Sequence, residues 1–117
     1  MEEMDQKIRS MALPAGSKIG NVEILRVIGT GPNGLVYEGI DKSLQRSVIV
    51  KEYFPVNIAQ RLSNLQVKVT LARDGESFDN AMKFFLERGI QLSRIHHPNI
   101  VQIYGVEDCN GTVYMLM

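Results

Sequence analysis

The chain opens with ten residues, Met1–Ser10, in which acidic, basic and apolar side chains mix, and patterned sequence begins after Met11. The pattern predicts a flexible N-terminal tail over 1–11 and one folded unit over 12–117. From Val22 to Ile28 the residues are mostly apolar and β-favouring, and Gly29-Thr30-Gly31-Pro32-Asn33-Gly34 then interrupts them. Leu35 to Ile40 resumes the run, which predicts two antiparallel strands joined by a glycine turn. Asp41 to Gln45 is a polar connection into a third strand, Arg46 to Tyr53, closed by Pro55. Between Val56 and Glu76 the signal is weaker, but Val67, Val69 and Leu71 alternate with polar residues and predict a short extra strand.

Ser77 reads as the cap of a helix over about 78–95. Phe78, Ala81, Phe85, Leu92 and Ile95 recur at helical spacings and form its expected buried stripe, and Gly89 weakens it by about 1 kcal/mol relative to alanine. His97-Pro98-Asn99 ends the helix. Ile100–Val106 and Thr112–Met117 then read as a final hairpin, 100–117, turning at Asp108-Cys109-Asn110-Gly111, where the Asn-Gly pair is a strong turn signal. The sum is an α+β domain: a five-stranded antiparallel sheet with one long helix packed on it.

Composition narrows the function without choosing it. A chain of 117 residues, 44% hydrophobic, suits one compact domain with a core of its own. Thirteen basic residues balance thirteen acidic ones, so nothing pulls toward nucleic acid or an anionic membrane. No apolar run approaches the roughly 20 residues that span a bilayer, and Met1–Ser10 is no secretory signal. Cys109 is the single cysteine, which excludes an internal disulfide and fits a reducing, cytoplasmic setting. It has no obvious base beside it, which disfavours a catalytic thiol, and no metal-ligand set stands out.

The candidate chemistry lies in Gly29-x-Gly31-x-x-Gly34-x-Val36. Residues without Cβ let a turn bend tightly and bring backbone N–H groups close to phosphate oxygens. In a dinucleotide-binding fold the same spacing follows a strand and opens a helix; here Pro32 and the β-rich run after Gly34 argue against a helix. Alone, the motif is explained equally well by a plain hairpin turn. Lys51 adds to it: it lies seventeen residues after Gly34, inside an apolar strand. There it either snorkels its ammonium to the surface or reaches phosphates under the glycine turn.

With these residues in place the chain resembles the small lobe of the protein kinase family, of the bacterial Ser/Thr type. The resemblance rests on Ala12-Leu13-Pro14-Ala15-Gly16, Ile28-Gly29-x-Gly31-x-x-Gly34-x-Val36-Tyr37, Lys51-Glu52-Tyr53-Phe54-Pro55, Phe85-Leu86-Glu87, His97-Pro98-Asn99-Ile100-Val101 and Asn110-Gly111-Thr112-x-Tyr114-Met115-x-Met117. It implies a protein-kinase-like small lobe that binds ATP, as Mg-ATP in the intact family. Gly29, Gly31 and Gly34 would cover the phosphates, Ile28 and Val36 would pack on adenine, Lys51 would contact the α- and β-phosphates, and Met117 would be the gatekeeper.

Three departures from the family qualify this. The helix glutamate that pairs with the strand lysine usually lies ten residues before the proline of His-Pro-Asn, and that position is Arg88. Glu87 becomes the candidate lysine partner through a register shift or a turn of the helix by the roughly 100° that separates neighbouring residues. Ile49 stands where the family nearly always has alanine, on the same strand face as Lys51, and narrows the adenine space. Pro32-Asn33 stiffens the loop tip and removes a donor. No catalytic residue is read in this chain, since neither a His-Arg-Asp loop nor an Asp-Phe-Gly motif precedes Met117; phosphoryl transfer needs base, metal and phosphates positioned together. The expected function is therefore the ATP-binding lobe of a Ser/Thr kinase, incomplete and inactive alone. The alternative is a pseudokinase-like module that binds a kinase C-lobe or another protein partner.

Overall fold

The structure, a computed structural model, describes residues 2–32 and 34–117, with side chains described from residue 6 onward. Helix α1 (Glu2–Ser10) leads into strand β1 (Lys18–Ile19), then β2 (Val22–Gly31), β3 (Gly34–Asp41) and β4 (Arg46–Tyr53). A small hairpin follows, β5 (Ala59–Arg61) and β6 (Val67–Val69), then a single 3-10 turn (Ala72–Asp74) and helix α2 (Gly75–Ser93). Strands β7 (Gly105–Cys109) and β8 (Thr112–Leu116) complete the chain. The main sheet has six strands in the order β1-β2-β3-β4-β8-β7, every neighbouring pair antiparallel.

The α+β class holds, and the strand count is six rather than five. The sixth is β1, two residues long, too short to show a period of its own, and pairing with the start of β2. The extra strand expected near Val67 is half of the separate β5–β6 hairpin. The residues expected to be a loose tail form α1 instead, and Ile8 is only 6% exposed within the core. Its acids come early and Lys7 and Arg9 lie in the last turn. That order complements the helix dipole, so the mixed charge that suggested a tail favours a helix.

Helix α2 begins and ends two or three residues earlier than the pattern suggests. Asp74, not Ser77, takes the N-cap position, without a side-chain cap bond. Of the expected stripe, Phe78 is buried, Phe85 and Leu92 are half-buried, and Ala81 and Ile95 are exposed. Gly89 is buried because the helix crosses close to β7 and β8: a Cβ there would stand 3.2 Å from Val106 Cγ2 and 3.3 Å from the Met115 side chain. Pairing in the last hairpin starts at Gly105 rather than Ile100, the intervening residues forming a loop whose Tyr104 N–H donates to Leu116 O at 2.9 Å.

Successive strand residues face opposite sides of the sheet, and this sorts the molecule into two layers. Leu35, Tyr37, Val48, Val50, Glu52, Tyr114 and Leu116 are buried on one face. Val36, Ile49, Lys51, Tyr53 and Met115 take the other, according to the register Val36↔Lys51 and Lys51↔Met115. Helix α2 covers part of that second face, with Tyr53 against Phe78 and Phe85 at ring separations of 5.3 and 5.7 Å. The Tyr53 hydroxyl donates to Phe78 O at 2.9 Å and fixes the start of the helix to β4. Among the described residues, no helix is long and apolar enough to cross a membrane.

Candidate functional site

The β2–β3 hairpin folds its glycine turn over the end of β4. Gly34 pairs with Tyr53 in the strand register, and a Cβ on Gly34 would stand 2.6 Å from Glu52 O, so the close approach of the two strands requires glycine there. Gly29 and Gly31 have more room: the nearest atom to a Cβ on Gly29 is Val36 Cβ at 3.5 Å, and one on Gly31 would meet nothing within 4 Å. The Pro32 carbonyl accepts from Val56 N–H at 3.2 Å, which ties the loop to the segment after β4. Asn33, the other half of the unusual loop tip, lies outside the described residues.

Below this hairpin is a cleft of about 320 Å³, lined by Gly29, Thr30, Gly31, Pro32, Gly34, Val36 and Lys51. Ile28 does not line it and is 40% exposed, next to an irregularity in the β2–β3 register. Ile49 and Met117 sit directly across from each other, Ile49 N–H donating to Met117 O at 2.8 Å and Met117 N–H to Ile49 O at 2.9 Å. This extends the β4–β8 pairing by one step and puts both on the Lys51 face. The residues singled out in the sequence therefore gather on one side of the sheet, with Ile28 apart.

Lys51 also lines a second, larger groove of about 640 Å³ between β4, β8 and α2, together with Tyr53, Pro55, Phe84, Phe85, Arg88 and Met115. Arg88, not Glu87, stands on this wall, and Glu87 is exposed elsewhere on the helix. Residues 77, 81, 84 and 88 line the groove from α2, the spacing of one helical face. Among the described residues no salt bridge joins Lys51 or Arg88 to a carboxylate. Both cations are solvent-exposed.

The other face of β4 holds a cluster that sequence reasoning missed. Glu52 is fully buried, and both its oxygens accept from Arg61 Nη2, at 2.6 and 2.7 Å. The Tyr37 hydroxyl donates to Glu52 Oε1 at 2.6 Å and in turn accepts from Leu13 N–H at 3.1 Å. Arg61 also donates from Nε to Met11 O (2.7 Å) and from Nη1 to Leu65 O (2.9 Å), and its guanidinium lies over Phe54. Burial disfavours the Arg61 charge, yet the adjoining Glu52 carboxylate outweighs it and raises the guanidinium above its ordinary value. Burial, reinforced by the Glu52 charge, lifts the phenols of Tyr37 and Tyr114 far above the usual tyrosine range. The readable signal was parity: Glu52 lies between Val50 and Phe54, on the apolar side of the strand, and a buried carboxylate there needs a cation.

Set beside known proteins, the sequence matches no protein-family model and no curated protein. Solved structures do match. The apo form of PpkA-294 superposes with a TM-score of 0.87 at 32% identity, covering 91% of this chain and 38% of that one. The kinase domain of Mycobacterium tuberculosis PknI, studied as a double mutant, superposes with a TM-score of 0.63 at 18% identity, covering 92% of this chain and 36% of that one. The chain thus spans little more than a third of either.

Proposed function

We propose, from the premise that this chain is a small lobe of the bacterial Ser/Thr protein-kinase type, that it binds ATP with its phosphates under the β2–β3 glycine hairpin. The observation that carries this reading is the position of Lys51. Its side chain lines the glycine cleft opposite Val36, and no carboxylate among the described residues competes for its charge. A triphosphate supplies the missing negative charge, and hairpin N–H groups add short donors to it. Val36 offers an apolar surface for the base, with Ile49 and Met117 behind it on the same face.

Among the described residues no three or more His, Cys, Asp or Glu side chains gather at metal-binding spacing. The lobe's own contribution is accordingly to hold and orient phosphates. Magnesium, where the nucleotide carries it, would supply charge neutralisation at the β- and γ-phosphates. Transfer to a protein hydroxyl is the activity proposed for a complete kinase domain containing this lobe.

Equilibrium titration with Mg-ATP tests the reading. Saturable binding by the native chain, weakened about tenfold or more in Lys51→Ala, is expected from loss of one charge-assisted contact. Absence of binding at millimolar ATP, or equal affinity in the variant, refutes it.

A further inference from the structure

Helix α1 is nine residues long, shorter than the roughly 12–15 at which even good sequences begin to hold as isolated helices in water. Its helicity therefore depends on docking. Among its described side chains, Gln6 to Ser10, Ile8 is the one that is buried. The chain just after the helix is pinned: Arg61 Nε donates to Met11 O at 2.7 Å, and Leu13 N–H donates to the Tyr37 hydroxyl at 3.1 Å. The surface that α1 docks on belongs to the support of the glycine hairpin. The helix packs on β2, the first strand of that hairpin. Lys7, Ile8 and Met11 also share the walls of a small cavity, about 120 Å³, with Val56 and Asn57. Val56 N–H in turn donates to Pro32 O, at the tip of the hairpin, at 3.2 Å. A Cβ on Gly31 would meet nothing within 4 Å, so packing does not hold the tip at that point.

We propose that Ile8 is a positioning residue for the glycine hairpin. By docking α1 against Val56 it keeps the Val56–Pro32 bond made, and that bond holds the tip. Release of α1 uncovers one buried side chain and leaves Met11 and Leu13 tied to the sheet, so it is a local opening well short of unfolding. The released state loses the wall behind Val56 and frees the tip, while the six-stranded sheet persists. The docked helix and the ordered tip are thus two parts of one equilibrium. A ligand that orders the tip favours the docked helix, and docking strengthens that ligand by the same factor. This last consequence rests on the nucleotide reading above. The positioning itself does not, because it is built from contacts of the free chain, none of which involves Lys51 or the groove beside α2.

Amide hydrogen exchange and backbone relaxation of the full chain, without nucleotide, test the proposal. Ile8→Ala should speed exchange of Val56 N–H about tenfold or more, because truncating a buried side chain shifts a local equilibrium at least that far. It should lower the Gly31 order parameter and leave Tyr104 N–H, which donates to Leu116 O, at its native rate. Ile8→Leu, which conserves volume, should restore both values. A helix that only stabilises the fold would speed Val56 and Tyr104 alike and leave Gly31 unchanged, and that result overturns the proposal. The native chain gives a second reading that needs no substitution. In low urea, Met11 N–H, which donates to Ile8 O, and Val56 N–H should open together, before Tyr104 N–H. A Met11 amide that exchanges freely while Val56 stays protected overturns the proposal as well. These readouts use neither nucleotide nor Lys51, so they decide the role of Ile8 even where Mg-ATP fails to bind. Where Mg-ATP does bind, Ile8→Ala should weaken it about fivefold, and equal affinity would overturn the linkage to the site.

Discussion

Strand β4 carries Lys51 on one face of the sheet and Glu52 on the other, and the fold treats the two charges in opposite ways. Glu52 is sealed, with Arg61, Tyr37 and the segment around Met11 and Leu13 arranged so that both carboxylate oxygens have donors. Lys51 is exposed and faces Arg88 across an apolar groove. A closed network such as the first ties β3, β4, β5 and the N-terminal segment together. The open one has no salt bridge among the described residues and lends the fold little stability. Adjacent residues thus contrast: Glu52 helps hold the fold together, and Lys51 is the one proposed to bind.

The largest effect should come from breaking the closed side. Glu52→Gln leaves the Arg61 guanidinium, whose side chain is 5% exposed, without its counter-charge. Removing one partner of a buried pair costs about 3–5 kcal/mol, a large share of the 5–15 kcal/mol typical of a whole domain. A fall in the urea midpoint of that size checks it; a change below about 1 kcal/mol would show that the cluster is not what ties the segments together.

Alkaline pH attacks the closed side more gradually. Burial raises Tyr37 and Tyr114, and burial followed by the hydrogen bond to Asp41 pushes Tyr104 up to about 12 from 10.0. A raised phenol contributes stability that is fully present below the unfolded value of 10.0 and is lost as pH rises through the folded value. Unfolding midpoints should therefore hold steady up to about pH 10 and decline toward pH 12, with phenolate absorbance appearing as the fold is lost. Phenolate absorbance rising to completion near pH 10, while the protein is still folded, would contradict the buried hydroxyl network.

On the open side the same tests should register little. Arg88→Glu creates an exposed pair with Lys51 worth about 0.2–1 kcal/mol of added stability. Lys51→Ala should leave stability within about 0.5 kcal/mol, as for other surface positions. Thermal melts of both variants beside Glu52→Gln measure the contrast directly. A Lys51→Ala loss comparable to that of Glu52→Gln would mean that Lys51 has a structural partner after all.

The sequence shows the open side more readily than the closed one, for physical reasons. A glycine turn between apolar runs and a lysine inside a strand are local patterns, and strand parity carries Val36, Ile49, Lys51 and Met117 to one face. Counting back from Pro98 places Arg88 on the groove, where the structure has it. The Glu52–Arg61 pair is harder to read, because its partners are nine residues apart on different sheets and meet only in three dimensions. Strand β1 is too short to announce itself. Helix α1 is short and polar, and its burial depends on Ile8 finding the core. Gly89 looks like a weakness in a helix until β7 and β8 come close, leaving a Cβ there only 3.2–3.3 Å from the Val106 and Met115 side chains.

The most direct test of this division is site-resolved NMR of the Lys51 ammonium and the Arg61 guanidinium during one Mg-ATP titration. Lys51 signals should move along a saturable curve, while Arg61 Nε–H, already donating to Met11 O, stays fixed and slow to exchange before any ligand is added. A Lys51 signal unmoved at saturating nucleotide, or an Arg61 signal that exchanges as freely as Lys51 in the free protein, would contradict the account.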